Sequence, residues 1–193
     1  MTRESAYQTL TVYTQSQSLI RHHLAVEAAM RALAVSFSQQ TNIPQNEEEW
    51  GITGLLHDAD YELTRKNPEK HTLYLEEKMK DQIPPHIMHA IKAHNYAYTK
   101  IEPKTPMDWA LYTCDELTGF IVYCALKLSD KKLTDLNADI VFQKLQDASF
   151  AENVPRAQIY QCEKSLGIPI KNFIQIVLSS MQAIDSKLGL SVQ

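Results

Sequence analysis

Apolar residues recur at helical spacing along almost the whole chain, and this regularity limits the fold more than any other feature of the sequence. The alternating apolar and polar residues with Asn-Gly or Asp-Gly turns that would indicate β-hairpins are not found. The eight prolines, from Pro44 to Pro169, fall between periodic segments or at helix starts. The sequence therefore predicts an all-α fold of about eight helices.

The predicted helices define the organisation of the chain. They span residues 3–16, 18–40, 46–60, 69–81, 84–98, 105–129, 137–147 and 154–188, with a break in the last at Gly167-Ile168-Pro169. Residues 129–153 are more polar and less regular than those before them. We predict a single domain over 1–193, with a core at about 18–129 and a C-terminal helical cover at about 130–193.

Composition excludes several classes of protein. The 193 residues are enough for one sizeable core, and the three cysteines include no Cys-x-x-Cys pair that would indicate a thiolate zinc site. The net charge is −4 and the basic residues are scattered, so we expect no extended nucleic-acid surface. No apolar run approaches the ~18 residues of a membrane span, and the five glycines form no phosphate-binding loop. We expect a soluble cytoplasmic protein.

A histidine and an aspartate stand side by side where an apolar helical segment ends, in Gly-Ile-Thr-Gly-Leu-Leu-His57-Asp58. Charged and polar groups of this kind are hard to bury, and both can ligate a metal. Because such a dipeptide also arises by chance, its meaning depends on other residues that converge on it.

Two other helices carry an inward histidine when side chains are counted at ~100° per residue. In the second helix His22 falls within the apolar stripe and His23 lies at its edge. In the fifth, His94 lies near the centre of the stripe, whereas His86 and His89 lie off it. A lone inward histidine is more often a core residue bonded to a backbone carbonyl than a ligand.

A buried carboxylate is a rarer feature than a buried histidine. Asp115 lies in the middle of an apolar stripe that contains no Lys or Arg, and an unpaired buried charge is strongly unfavourable. A metal ion is the simplest partner. His71 begins a helix whose inner line runs through Leu75 and Met79, and it is either directed inward or a partly exposed first-turn residue.

The order of these residues resembles the HD-domain metal-dependent phosphohydrolase superfamily, whose pattern is His, His-Asp and Asp, with two further His in members that hold two metals. The segments Arg-His-His-Leu-Ala-Val-Glu, Gly-Leu-Leu-His-Asp-Ala-Asp-Tyr-Glu, Ile-Lys-Ala-His-Asn and Cys-Asp-Glu-Leu-Thr-Gly-Phe are similar to those of stand-alone bacterial members. The resemblance covers nearly the whole chain. The chain departs from the frequent His-Asp-(Ile/Leu)-Gly pattern. This departure leaves the ligands intact but gives no basis for assigning the substrate specificity of those subfamilies to this chain.

The resemblance implies an HD-domain-like helical bundle around a central metal site. It assigns the first metal to His22, His57, Asp58 and Asp115. His71 and His94 would ligate a second metal that Asp58 bridges to the first, or would contact substrate phosphate if only one ion is held. Ligation by nitrogen and oxygen alone suits Mn, Fe, Co, Ni or Zn.

The function expected from this site is hydrolysis of a small phosphoester, such as a nucleotide, by metal-activated water. Asp58 is part of the catalytic site in this interpretation. Asp60 and Glu62 act as general acid or base, orient a ligand histidine, or simply form a solvated helix end. Lys92 meets the substrate phosphate, or is only solvated.

Two other functions fit the same residues. The first is a mixed-valent di-iron oxygenase, since the six-residue order also resembles that branch of the superfamily, which includes myo-inositol oxygenase. The second is a noncatalytic, metal-stabilised signalling or binding module. The expected partner is a small phosphorylated molecule. A homodimer could form through the face of Phe120 and Tyr123, although these residues could equally pack under the C-terminal helices.

Overall fold

The computed structural model describes residues 1–189, which contain helices and turns but no β-strand, and the all-α prediction is confirmed. In chain order the α-helices are α1 (Arg3–Tyr13), α2 (Gln17–Thr41), α3 (Glu47–Leu56), α4 (Tyr61–Thr64), α5 (Leu73–Met79), α6 (Pro85–His94), α7 (Tyr96–Thr99), α8 (Pro106–Leu126), α9 (Ala138–Gln146), α10 (Arg156–Leu166), α11 (Ile170–Gln182) and α12 (Asp185–Leu188). Short 3-10 turns lie at Pro68–Lys70 and Leu133–Asp135. The last four residues of the predicted C-terminal cover, 190–193, lie outside the described part.

Two long helices form the centre of the molecule. Helix α2 packs against α3, α8 and α11, and α8 packs in turn against α6 and α10. Their contact faces contribute fully buried side chains to one apolar core, among them Met30 of α2, Leu55 of α3, Phe120 of α8 and Phe173 of α11. Burial of this apolar surface holds the helices together, and it sets α2 and α8 side by side.

Local sequence signals explain where these helices begin. The hydroxyl of Thr105 accepts a hydrogen bond from the Asp108 amide, and Pro106 occupies the first turn of α8. Thr2 caps α1 in the same way, and Asn46 caps α3 through its side-chain oxygen. At the predicted break in the last helix, Gly167 adopts a left-handed conformation (φ 67°) that ends α10.

Three predicted helices are shorter in the structure. The segment 46–60 ends as α3 at Leu56, 84–98 ends as α6 at His94, and 69–81 yields only α5 after Thr72, whose φ is 72°. In each case one end of the helix lies beside a candidate ligand: α3 ends before His57, α6 ends at His94, and α5 begins after His71. These interruptions turn the ends of three segments toward the same region.

The face of α8 that carries Phe120 and Tyr123 packs within the chain. Phe120 is fully buried, its ring centroid lies 5.7 Å from that of Phe150, and the ring of Tyr123 lies 5.1 Å from the same residue. Tyr123 remains 38% exposed.

None of the helices in residues 1–189 combines the length and the apolar character required to cross a lipid bilayer.

Candidate metal centre

All six predicted ligands come together at one place. They form three overlapping groups whose nitrogen and oxygen atoms lie within 4.8 Å of one another, a spacing at which a metal ion could be held. The residues come from five separate parts of the chain: His22 on α2, His57-Asp58 after α3, His71 before α5, His94 at the end of α6, and Asp115 on α8.

The carboxylate of Asp115 faces two of the imidazoles. Its Oδ1 lies 3.0 Å from Nε2 of His22 and 3.3 Å from Nε2 of His57. The packing of α2 against α8 creates the first of these contacts, and the chain reversal after α3 creates the second.

The carboxylate of Asp58 faces the other two imidazoles. Its Oδ1 lies 2.9 Å from Nε2 of His71 and 3.2 Å from Nε2 of His94. The same oxygen is 3.7 Å from Nε2 of His57, so Asp58 stands between the two halves of the cluster. A carboxylate in this position could contact a metal ion in either half of the cluster.

The four histidines direct the same ring nitrogen toward the cluster. Nδ1 of His57 donates to the Gly54 carbonyl (2.8 Å), and Nδ1 of His94 donates to the Ile91 carbonyl (2.5 Å). Nδ1 of His71 donates to the Asp60 carboxylate (2.7 Å). A hydrogen on Nδ1 leaves the lone pair on Nε2, which is the arrangement that histidine ligands use in metalloproteins.

The Nδ1 atom of His22 has a more distant hydrogen-bond partner than those of the other three rings. Its Nδ1 lies 3.5 Å from the hydroxyl oxygen of Thr118, and that hydroxyl donates to the backbone carbonyl of Asp115 (2.8 Å). The hydroxyl oxygen can accept from Nδ1, so Nε2 of His22 also faces the cluster.

A divalent transition metal fits the donor set. Nε2 of His57 is buried without a hydrogen bond of ordinary geometry, which is unfavourable unless a cation occupies the space beside it. Nε2 of His71 and Nε2 of His94 lie 3.3 Å apart, so in the neutral rings, with the hydrogen on Nδ1, the two lone pairs would face each other without a cation between them. Imidazole nitrogen and carboxylate oxygen together suit several first-row metals without selecting one.

The electrostatics of the metal-free cluster follow from the same contacts. Burial opposes a charge on His57, but the carboxylates of Asp58 and Asp115 outweigh burial and raise the pKa of His57 to about 9. Burial is likewise outweighed at His71, where Asp58 and Asp60 raise the pKa to about 10. Burial also opposes charge on Asp58 and Asp115, yet the histidines, His57 first, hold both carboxyl pKa values well below their usual range. Protons therefore take the place of a cation until a metal displaces them.

The cluster forms one wall of a cavity of about 380 Å³. Besides five of the six candidate ligands, the lining consists of Tyr61, Asn95, Ala97, Glu116, Gly119 and Gln158. Of the described residues that line it, none is Lys or Arg. His57 is fully buried behind this wall. An anion that enters the cavity therefore depends on a bound cation for its attraction.

The further residues that the sequence singles out lie in different places. Asp60 is fully buried, and it accepts hydrogen bonds from Nδ1 of His71 and from the backbone amides of Thr72 (3.1 Å) and Leu75 (2.9 Å). Its two oxygens are occupied by these donors. Asp60 therefore positions His71 and is not free to exchange a proton with a substrate.

Glu62 and Lys92 lie outside the cavity lining. Glu62 accepts from the backbone amides of Gln15 (2.8 Å) and Ser16 (3.0 Å), and it thereby fixes the connection between α1 and α2. Lys92 pairs with Glu76 at 2.5 Å. Two residues along a helix correspond to about 200° of rotation, so Lys92 faces away from the side of α6 that carries His94.

Glu116 and Gln158 line the cavity, and the sequence interpretation did not include them. Burial, followed by the charge of Asp115, raises the pKa of Glu116 to about 7. Its position next to Asp115 is the one signal that could have identified it. Gln158 reaches the cavity from α10, more than forty residues along the chain, and no local pattern indicates that packing.

The two neighbouring histidines of α2 differ in a way that the helical count did not predict. His23, expected at the edge of the apolar stripe, is fully buried, whereas the side chain of His22 is 25% exposed. The reason is that α2 packs on three sides, so its buried stripe is wide, and the cluster lies at the border of a cavity. Burial, and then the charge of His57, holds the pKa of His23 well below its usual range, so its ring stays neutral.

Comparison with protein-family models gives no match, and neither do comparisons with curated protein sequences and with solved structures. Membership of the HD-domain superfamily remains a prediction from the sequence.

Proposed function

We propose that this protein is a metal-dependent hydrolase of small phosphoesters. The observation that carries the proposal is the convergence of four Nε2 atoms and two carboxylates at the wall of an open cavity. A divalent ion in such a site lowers the pKa of its bound water and polarises a phosphoryl oxygen. The order of the same residues along the chain, which resembles the HD-domain pattern, supports the same reaction.

The residues would divide the work as follows. His22, His57 and Asp115 would hold one ion, His71 and His94 would hold a second ion or contact the phosphate, and Asp58 would serve both halves. Asp60 would keep His71 in the required orientation. A single ion with two phosphate-binding histidines and a pair of bridged ions are both compatible with these contacts.

Glu116 is the residue best situated to handle a proton beside the reacting phosphate. It lines the cavity, and within residues 1–189 its carboxyl group makes no hydrogen bond or ion pair. A carboxyl group without a partner can hold a proton and release it to a departing oxygen. Asn95 and Gln158 add amide groups to the same wall.

The proposal is tested by phosphate release from metal-loaded protein. Metal-free protein is reloaded separately with Mn, Fe, Co, Ni or Zn and assayed against a broad phosphoester panel. We expect metal-dependent phosphate release that is lost in His57→Ala. His86→Ala is the matched control, because this exposed histidine pairs with Glu49 (3.1 Å) outside the cluster. Full metal loading without release from any ester would contradict the proposal and favour a noncatalytic module.

A di-iron oxygenase is the second candidate, and it would use the position of Asp58 between the two halves of the cluster. Because Asp58 faces the histidines of both halves, the cluster offers the shared carboxylate that a dinuclear centre requires. Anaerobic loading with iron, followed by oxygen, separates the candidates. Oxygen consumption without phosphate release would replace the hydrolase with the oxygenase.

A further inference from the structure

Gly119 lies in the interior of α8, where a glycine weakens a helix relative to alanine. A Cβ atom at this position would meet no atom within 4 Å beyond its chain neighbours and the backbone of its own helix. Packing therefore does not require a glycine here. The contrast is Gly54, where a Cβ would lie 2.7 Å from the Val26 carbonyl oxygen. What the glycine at 119 preserves is open space.

Gly119 borders two cavities that lie near each other. The metal cavity has Gly119 and His22 in its lining, and the same two residues line a second cavity of about 390 Å³. The walls of the second cavity are mainly apolar, and they include Ala25, Val122 and Leu126. A molecule bound at the metal cluster can thus extend past Gly119 onto an apolar surface.

A positively charged side chain also lines the second cavity. Arg21 lines it, and within residues 1–189 its guanidinium group makes no hydrogen bond or ion pair. The guanidinium lies against Gly189, since a Cβ added there would be 2.5 Å from Cζ of Arg21. No Lys or Arg lines the metal cavity itself, so Arg21 supplies a positive charge at a point beyond the phosphate. A planar guanidinium matches a carboxylate or a similar acceptor.

We propose that the second cavity holds the organic group of the phosphoester substrate, and that this group is apolar and carries an acceptor or a negative charge for Arg21. The proposal rests on the hydrolase function, because it assumes that the phosphate lies at the metal cluster. The absence of a bulky side chain at position 119 then determines specificity, because it lets this group pass between the two cavities.

The test measures binding of phosphonates, which are not hydrolysed, so it does not depend on turnover. Methylphosphonate, 2-naphthylphosphonate and 6-carboxy-2-naphthylphosphonate are titrated into zinc-loaded protein by calorimetry. From the apolar area that a naphthyl ring would bury, we expect it to improve affinity by roughly tenfold or more over methyl. The carboxylate should improve affinity again.

Two substitutions at one position isolate the role of Gly119. Both Gly119→Ala and Gly119→Leu remove the helix glycine, but only leucine fills the passage. We expect Gly119→Ala to keep the naphthyl preference and Gly119→Leu to lose it, at unchanged zinc content. Arg21→Gln should abolish the gain from the carboxylate and retain the preference for naphthyl over methyl. If Gly119→Leu lost zinc, Val122→Trp would fill the second cavity from its other wall and should abolish the naphthyl preference.

Equal affinity for methyl and naphthyl phosphonates, or an unchanged preference in the variants that fill the space, would overturn the proposal. This result is distinct from failure of the hydrolase function. Absence of phosphate release from every ester, together with a naphthyl preference that Gly119→Leu removes, would reject hydrolysis and retain the apolar subsite.

Discussion

At the scale of single residues, the orientation of each imidazole matters as much as its presence in the cluster. His57 and His94 donate to carbonyls three residues earlier in their own helices, so their orientation is set locally. His71 instead depends on Asp60, a residue in a different segment. The first two arrangements follow from a histidine at a helix end, whereas the third exists only after the chain has folded.

Asp60→Asn tests this positioning role. An asparagine keeps the shape but directs an NH2 group at one of the donors that Asp60 now satisfies, and an unsatisfied buried pair costs about 1–3 kcal/mol. We therefore expect denaturant unfolding to show a free energy of unfolding that is about 1–3 kcal/mol lower than that of the unmodified protein. Because loss of such a supporting contact typically weakens metal binding by about 10–100-fold, we also expect weaker binding at the ion that His71 serves.

Glu62→Gln is the matched control for Asp60→Asn, because Glu62 is a nearby carboxylate that contacts backbone amides outside the cavity. It should leave the metal titration unchanged. Equal metal affinity in Asp60→Asn and the unmodified protein would contradict the positioning role.

The sequence identifies a site residue most reliably when its side chain is unusual for the surface that carries it. Asp115 is conspicuous because a carboxylate in an apolar stripe needs a partner, and it lies in the cluster as expected. His22 and His23 are adjacent, and the helical count alone misjudged their burial. For Glu116 the one signal in the sequence is its position next to Asp115, because its access to the cavity depends on how α8 meets the C-terminal helices.

At the scale of helices, the close approach of α2 and α3 shapes the site. Gly54 lies against the backbone of Val26 and Glu27, and its carbonyl also accepts the hydrogen bond of His57. Gly54→Ala should force the two helices apart, since the atoms a Cβ would meet belong to the backbone and cannot rotate away. We expect a loss of about 1–3 kcal/mol in the free energy of unfolding, together with weaker metal binding.

Gly51→Ala is the control on the same helix. The three atoms nearest to a Cβ there belong to the side chain of Arg31, the closest being Nε at 2.5 Å. Arg31 would have to shift against its partners Glu27 and Glu48, but the backbones of α2 and α3 could keep their distance. Denaturant unfolding of the two variants checks the prediction. Gly54→Ala with the stability of the unmodified protein would show that the approach of α2 and α3 is not limiting.

Helix ends were less predictable than helix faces. Periodicity indicates which side of a segment is apolar, but it continues smoothly past His57 through Asp58-Ala59-Asp60, where no glycine or proline interrupts it. The chain nevertheless leaves the helix at Leu56, and Ala59 and Tyr61 form tight three-residue turns to Leu56 and Asp58. Tertiary contacts of the cluster therefore override the local pattern at this point.

At the scale of the whole molecule, five segments must pack correctly before any metal can bind. The sequence predicts the members of the cluster because each lies on a predictable face or helix end. It does not predict the second cavity, since this requires α12 to reach the side of α2 and α8. Distances between elements come from packing, which single-sequence patterns do not contain.

Metal binding should be coupled to proton release across this assembly. Metal-free His57 and His71 have pKa values raised to about 9 and about 10, so both are protonated at neutral pH. At pH 7 we expect about one proton to be released when a single ion binds at His57, and about two when a second ion binds at His71. Affinity should rise with pH by up to about tenfold per displaced proton per unit. Both effects should vanish above about pH 10. Calorimetry in buffers of different ionisation enthalpy measures the release, and a pH-independent affinity would contradict it.

Metal content after exhaustive dialysis is the most direct test of the central claim. Elemental analysis of the unmodified protein should find one or two divalent ions per chain. Asp58 faces both halves of the cluster, so Asp58→Ala should retain none, whereas His86→Ala should retain the full content. Full metal occupancy in a folded Asp58→Ala protein would contradict the assignment of the cluster as a metal centre.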